Sequence, residues 1–261
     1  MSQTILLCPP VFYDIKYSIN PWMKGESVDH ALAMHQWFQL KNVLSFLGIT
    51  IREIDQHIDL PDMVFTANAG TVRGAHVVLS NFKHEERQPE TLEFEKWFDK
   101  QGYITHRLPA SVAFEGCGDT VINENTLIGG YGYRSDLKGL RMAAELLGLD
   151  LLPIKLNNPN FYHLDTCFTL LRPDLALYYP DAFSSYTISK LKKHLRLIPV
   201  SEEEAHNFAC NSIVYKHYVI MPAHNEDLAN RLEEEGMEAR IIDTSEFLKS
   251  GGSLQCMALW I

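Results

Sequence analysis

The chain has 261 residues, 46% of them apolar, and a formal net charge of −10. A chain of this length buries roughly three quarters of the surface its unfolded form exposes, so a substantial core in one or two domains is expected. The acidic balance argues against nucleic acid or an anionic membrane as partner and suits a cationic small molecule. No apolar run reaches the roughly 18 residues of a membrane span.

The opening MSQTILLCPP lacks the basic start and long apolar run of a secretory signal. The five cysteines, Cys8, Cys117, Cys167, Cys210 and Cys256, contain no CxxC pair. An odd number of unpaired cysteines is the usage of free thiols in a reducing compartment, and a cytoplasmic protein is expected.

The first helical pattern places Ala33, Trp37, Leu40, Val43, Leu44 and Leu47 on one face, stops at Gly48 and leads into the strand ITIREI. PDMVFTANAG then reads as a short strand with Asp62 and Asn68 on one face, bounded by Pro61 and Gly70. A second helix carries Phe94, Trp97 and Phe98, stops at Gly102 and runs into YITHRL, followed by FEGCGDTVI. A third carries Leu137, Leu140, Ala144 and Leu147, stops at Gly148 and runs into LDLLPI, followed by HLDTCFTLL. A fourth, with Ile188, Leu191 and Leu195, reaches RLIPV without a glycine, and FACNSIVYK follows. A fifth, with Leu228 and Leu232, stops at Gly236 before EARII, and the chain closes on SLQCMALWI. Glycine after a last helical turn is the expected left-handed stop.

These elements repeat. Asn68, Asp119, Asp165, Asn211 and Cys256 each sit at the polar start of a short strand and are separated by 51, 46, 46 and 45 residues. The chain therefore reads as five units of one helix and several strands. If the units close around an axis, their equivalent positions converge. Asp62, Asn68, Glu115, Asp119, His163, Asp165, Asn211 and Cys256 would then share one small cavity; the alternative is solvated strand ends at a rim.

Cys256 is either a core thiol in a last strand or a nucleophile, and a nucleophile needs a base and an orienting group. Alternation along HLDTCF puts His163 and Asp165 on one face, where the carboxylate would orient the imidazole. In FEGCGD the two glycines let backbone approach a ligand around Glu115 and Asp119, or simply make a tight turn. A zinc site built from His163, Asp165 and Cys256 is a rival reading, weakened by the lack of any short HxxxH or CxxC pair.

As a set and in this order, PDMVFTANAG, FEGCGD, HLD and GGSLQCM resemble the guanidino-modifying amidinotransferase and amidinohydrolase enzymes. CPPVFYDIKYSINPWM, FTANAG and SNFKHEERQPE are similar, more narrowly, to the arginine dihydrolases, which convert arginine to ornithine, ammonia and carbon dioxide. The resemblance implies an α/β fold, the five-bladed pseudo-symmetric propeller called the pentein fold, over one catalytic domain spanning residues 1–261. It implies no cofactor and no metal, a small guanidino substrate, and leaves room for a homo-oligomer. It makes Cys256 the nucleophile, His163 the general acid and base, and Glu115 and Asp165 the carboxylates that work with the histidine and hold the guanidinium. It assigns Asn20, Asp62, Asn68 and Asp119 to substrate binding, and Arg87 and Arg134 to the substrate carboxylate. Asn68 departs from the aspartate that deiminases and dimethylarginine hydrolases carry there. The same resemblance leaves open a dimethylargininase or deiminase giving citrulline, an amidinotransferase, and a non-catalytic propeller.

Overall fold

The computed structural model describes residues 3–261. Its strands form five separate three-stranded sheets. Strand β1 (Thr4–Leu7) is followed by helix α1 (His30–Phe46) and by β2 (Thr50–Glu53), which returns parallel to β1. The next sheet comprises β3 (Gly70–Arg73), β4 (His76–Leu79), α2 (Glu90–Lys100) and β5 (Ile104–His106). The third begins with a single helical turn, α3 (Gly116–Asp119), before β6 (Thr120–Asn123), β7 (Thr126–Tyr131), α4 (Leu137–Leu146) and β8 (Asp150–Lys155). The fourth has β9 (Phe168–Arg172), β10 (Leu175–Tyr178), α5 (Ser185–Leu191) and β11 (Arg196–Pro199). After α6 (Glu202–His206) the fifth has β12 (Ile213–Tyr215), β13 (Tyr218–Pro222), α7 (Glu226–Glu234) and β14 (Glu238–Ile242). Then α8 (Ser245–Leu248) leads to β15 (Leu259–Trp260).

Each sheet repeats one rule: an antiparallel pair, a helical crossover, then a strand parallel to the middle one. The first sheet obeys it only because β15 supplies the missing antiparallel strand, pairing Ile5 with Trp260 and Leu6 with Leu259. The two ends of the chain thus complete one blade and close the ring. The fold is the five-bladed α/β propeller expected from the repeat and the resemblance.

The helices stop where glycine permits. Gly48, Gly102, Gly148 and Gly236 have φ of +82°, +84°, +62° and +73°, values that cost other residues strain. The apolar faces read from the sequence point inward: Trp37, Leu40 and Leu44 of α1, Phe94 and Phe98 of α2, Leu140 and Ala144 of α4, Leu191 of α5, and Leu228 and Leu232 of α7 are buried. Trp97 is only half-buried, and its indole donates to the Glu53 carbonyl.

The segments that carry the polar anchors differ from the expectation. Asp62 lies in a 3-10 turn over Pro61–Val64, and Asn68 in a second one over Thr66–Ala69. His163 caps a 3-10 turn over Leu164–Thr166 that contains Asp165, and Asp119 ends α3. Cys256 sits in a turn in which the Met257 amide bonds back to the Ser253 carbonyl. None of these residues is on a strand. The even spacing of Asp62 and Asn68, and of His163 and Asp165, looks like one strand face, but Pro61 sets the φ of a turn start and the strands begin only after the anchors.

Leu259 is fully buried and pairs opposite Leu6, so it welds the C-terminus to the first blade. Leu259→Ala should lower unfolding free energy by about 2–5 kcal/mol, measured by chemical denaturation. A loss below about 1 kcal/mol would show that ring closure does not rest on this contact.

Candidate active site

Turns at the starts of the inner strands bring the anchors together at one end of the propeller axis. Cys256 is buried, and its Sγ lies 3.1 Å from Asp165 Oδ2 and 3.1 Å from Asn211 Nδ2. The Asn211 amide oxygen accepts from the Cys256 backbone N–H at 3.2 Å, and its Nδ2 also reaches the Asp165 carbonyl at 3.0 Å. Asn211 therefore ties the cysteine turn to the Asp165 turn across two blades.

His163 does not pair with Asp165. Its Nε2 lies 2.9 Å from Glu115 Oε2. The same Glu115 oxygen accepts from Arg134 Nη1 at 3.0 Å, and Oε1 accepts from the Lys83 backbone N–H at 3.1 Å. In a 3-10 turn, residues two apart splay to different sides, so His163 and Asp165 serve different partners.

The first turns add a third group. Asn68 Oδ1 accepts from Arg87 Nη1 at 2.9 Å, and Asn68 Nδ2 faces the Glu115 carbonyl at 3.4 Å. Arg87 is buried and forked onto Glu90, with Nε and Nη2 each 2.8 Å from a carboxylate oxygen. That bidentate ion pair keeps the guanidinium protonated. Asp62 is buried nearby, with Oδ2 3.9 Å from Arg87 Nε.

A segment without helix or strand, residues 8–29, runs over this end. Arg134 Nη2 donates to the Ile19 carbonyl at 2.9 Å, and Asn20 Nδ2 donates to the Ser250 carbonyl at 2.9 Å. Tyr162 donates to the Gly251 carbonyl at 2.7 Å and lies under Arg134, 4.5 Å from its guanidinium. Gly251 has φ +75°, and a Cβ there would lie 2.8 Å from Asn20 Oδ1. The strap closes because glycine stands at that point. The space left beneath it, lined by Asn20, Asp62, Asn68, Arg87, Arg134, His163 and Cys256 among others, is about 10 Å³, room for roughly a single water.

Burial works against every charge here, and partners decide the outcome. Burial alone would raise the Glu115 carboxyl, but Arg134 and His163 hold it well below the usual carboxylate range. Asp165 has no cation beside it, and burial pushes it up to about 7. Burial likewise raises Asp119 to about 6, and it raises Asp62. The Cys256 thiol is pushed up by burial first and by Asp165 second. Both effects favour the neutral thiol, and a cation beside it would favour the thiolate.

A family profile described as N,N dimethylarginine dimethylhydrolase, eukaryotic, matches residues 16–261. The chain belongs to this dimethylargininase family. It is 39% identical to the bifunctional arginine dihydrolase/ornithine cyclodeaminase ArgZ of Synechocystis sp., over 98% of this chain and 37% of that protein. It is 34% identical to the N(G),N(G)-dimethylarginine dimethylaminohydrolase of Mycobacterium tuberculosis, over 100% of this chain and 86% of that one. The crystal structure of the N-terminal domain of ArgZ bound to product superposes with a TM-score of 0.97 at 38% identity, covering 100% of this chain and 97% of that domain. The chain spans little more than a third of the length of ArgZ and of the bifunctional arginine dihydrolase/ornithine cyclodeaminase AgrE of Nostoc sp., to which it is also 39% identical.

In this dimethylargininase-family propeller, most of the residues singled out from the sequence meet at the site. Asp119 does not. It lies behind the histidine turn, where its Oδ1 accepts from the Leu164 backbone N–H at 3.2 Å. Its carboxylate braces the turn that follows His163, and it is not part of the cavity lining. Arg87 lines the cavity, but its fork is already filled by Glu90. Asn20 contributes to the wall while holding the strap. Asn211 was expected in the shared cavity as the fourth repeat anchor, on the strength of the 46- and 45-residue steps, but carried no chemical role there. Glu90 and Tyr162 carried no such signal. Among the described residues, no group of three or more His, Cys, Asp or Glu side chains is arranged to hold a metal.

The site carboxyls raised by burial set a pH dependence of stability. A carboxyl whose folded pKa lies above its unfolded value costs stability as pH rises between the two. For Asp165 that window runs from its usual value of 3.8 up to about 7. Asp165→Asn should therefore be more stable than the parent at pH 8, by on the order of 1–3 kcal/mol. The two should converge below pH 4 in chemical denaturation, and an equal or lower stability of the variant at pH 8 contradicts the assignment.

Proposed function

We propose that this chain hydrolyses the guanidino group of arginine and carries it through to ornithine, two molecules of ammonia and carbon dioxide. The observation that carries the reading is the Cys256 thiol held between Asp165 and Asn211, beside a His163–Glu115 pair, with the neutral Asn68 completing the wall. The likeness to the N-terminal domain of ArgZ supports it.

A guanidinium is a planar cation with fixed N–H donors, and carboxylates hold it through charge-assisted bonds. Asp165 has a buried Oδ1 with no protein partner, as has Asp62, so both can accept from such a cation. Its charge offsets the raised pKa of Asp165 and of the thiol together, which favours both anions. The Cys256 thiolate adds to the central carbon. His163, oriented by Glu115, protonates the departing ammonia and then takes a proton from the water that attacks the thiouronium. Expulsion of the thiolate at this stage gives citrulline. Expulsion of the second ammonia instead leaves a thiocarbamate, and its hydrolysis releases a carbamate that collapses to ornithine and carbon dioxide.

Asn68 bears on that choice. An aspartate there would add a negative charge that favours a guanidinium cation; an amide tolerates the neutral ureido stage. Asn68→Asp should shift the products of arginine turnover towards citrulline, quantified by mass spectrometry; an unchanged ornithine share removes Asn68 from this role.

Hydrolysis of methylated arginines to citrulline is the second reading, favoured by the matching family profile and the M. tuberculosis relative. Incubation with arginine, and separately with dimethylarginine, decides between them. Ornithine from arginine is expected, and citrulline accumulating from dimethylarginine alone would overturn the first reading. Cys256→Ala should reduce turnover by about three or more orders of magnitude under either; activity close to the parent's would remove the nucleophile.

A further inference from the structure

The propeller has a second, much larger cavity at the other end of its axis. It is a partly open cavity of about 530 Å³, walled by inner-strand residues of all five blades, including Val72, Val121, Leu170, Val214 and Trp260. Asp165 belongs to this rear wall, and its Oδ2 is the partner of the Cys256 thiol on the active-site side. Its Oδ1 has no protein partner, and the residue is only 6% exposed. Asp165 thus meets the thiol on one side and lines the rear cavity on the other, while the substrate side is roofed by the strap down to about 10 Å³.

We propose that Asp165 accepts the proton of the Cys256 thiol and releases it to water in the rear axial cavity, so that the nucleophile is activated from behind the substrate. This rests on the guanidino-hydrolase reading above. The step balances without any redox partner. The S–H bond breaks, the proton passes to Oδ2, and a side-chain movement that opens the carboxyl to the rear cavity lets water carry the proton away, leaving thiolate and carboxylate.

Two features make another route less suitable. The thiol's hydrogen-bond partners are Asp165 and Asn211, and Asn211 presents its Nδ2, a donor. His163 turns Nε2 to the Glu115 carboxylate, and its ring is not among the thiol's hydrogen-bond partners. Departure of the proton is also required by binding, because Asp165 can grip a guanidinium only as a carboxylate. The raised value of about 7 for Asp165 fits a group that exchanges a proton near neutrality. Ser212 and Gln255 give the cavity polar wall on which water can rest.

The test is stopped-flow mixing with substrate in lightly buffered solution containing a pH indicator, with ammonia followed in parallel. The unmodified protein should release about one proton per site ahead of ammonia. Val214→Trp, which fills the rear cavity without touching the catalytic groups, should slow that release and lower kcat at least about fivefold, with KM within about twofold and a larger solvent deuterium isotope effect. Absence of early proton release in the unmodified protein overturns the proposal, as does an unchanged release and kcat in a Val214→Trp protein with the parent's melting temperature. Should that variant fail to fold, Leu170→Trp fills the same cavity from another blade. Each measurement is made with arginine and with dimethylarginine. Turnover of the second alone fails the arginine reading and leaves the proton route to its own result; turnover of neither overturns both.

Discussion

The fold hangs on the antiparallel pairing of β15 with β1. Four blades are built from consecutive stretches of chain, but the first is completed by two residues from the far end, Leu259 and Trp260. That pairing closes the ring and fixes Cys256 three residues before Leu259. Without it the thiol would have no defined place relative to turns from the other blades. Thr66 reinforces the join by donating to the carbonyls of Leu6 and Met257 at 2.9 and 2.8 Å, and the Ala67 amide donates to the Cys256 carbonyl at 3.0 Å.

Once the ring is closed, burying charge becomes the governing cost. The axis end gathers Asp62, Glu115, Asp119 and Asp165, all nearly excluded from solvent. Only Glu115 receives a cation in hydrogen-bond contact, Arg134, together with His163. The asymmetry separates two jobs. A carboxylate already neutralised can orient an imidazole throughout a reaction. Carboxyls held at a raised pKa are relieved by an incoming cation, and so is a thiol. A cationic planar substrate matches the imbalance that the protein leaves in place, and the overall charge of −10 works in the same direction at long range.

The strap over residues 8–29 links binding to the same charges. Arg134 bonds Glu115 with one nitrogen and the Ile19 carbonyl with another, so one guanidinium ties the roof to the histidine's partner. The space beneath the roof is about 10 Å³, and the roof is joined to Glu115 through this one side chain rather than through the core.

Much of this was written in the sequence. Helical periodicity with a glycine stop, repeated at nearly constant steps, is a local signal; it gave the helices, the outer strands and the count of five units, because each unit buries its own apolar face. The anchors Asn68, Asp119, Asp165, Asn211 and Cys256 were visible as a repeat for the same reason. Which anchor touches which was not visible. A two-residue spacing cannot distinguish a strand face from a 3-10 turn, and the turn sends His163 to Glu115 and Asp165 to Cys256. Nor could local pattern show that Asp119 stands behind the site, or that Asn211 holds the thiol. Those outcomes depend on contacts between blades, often some 45 or more residues apart, and on which buried charge finds a partner. The residue set and the five-fold plan belong to the sequence; the pairing of the side chains at the site was decided by closing the ring.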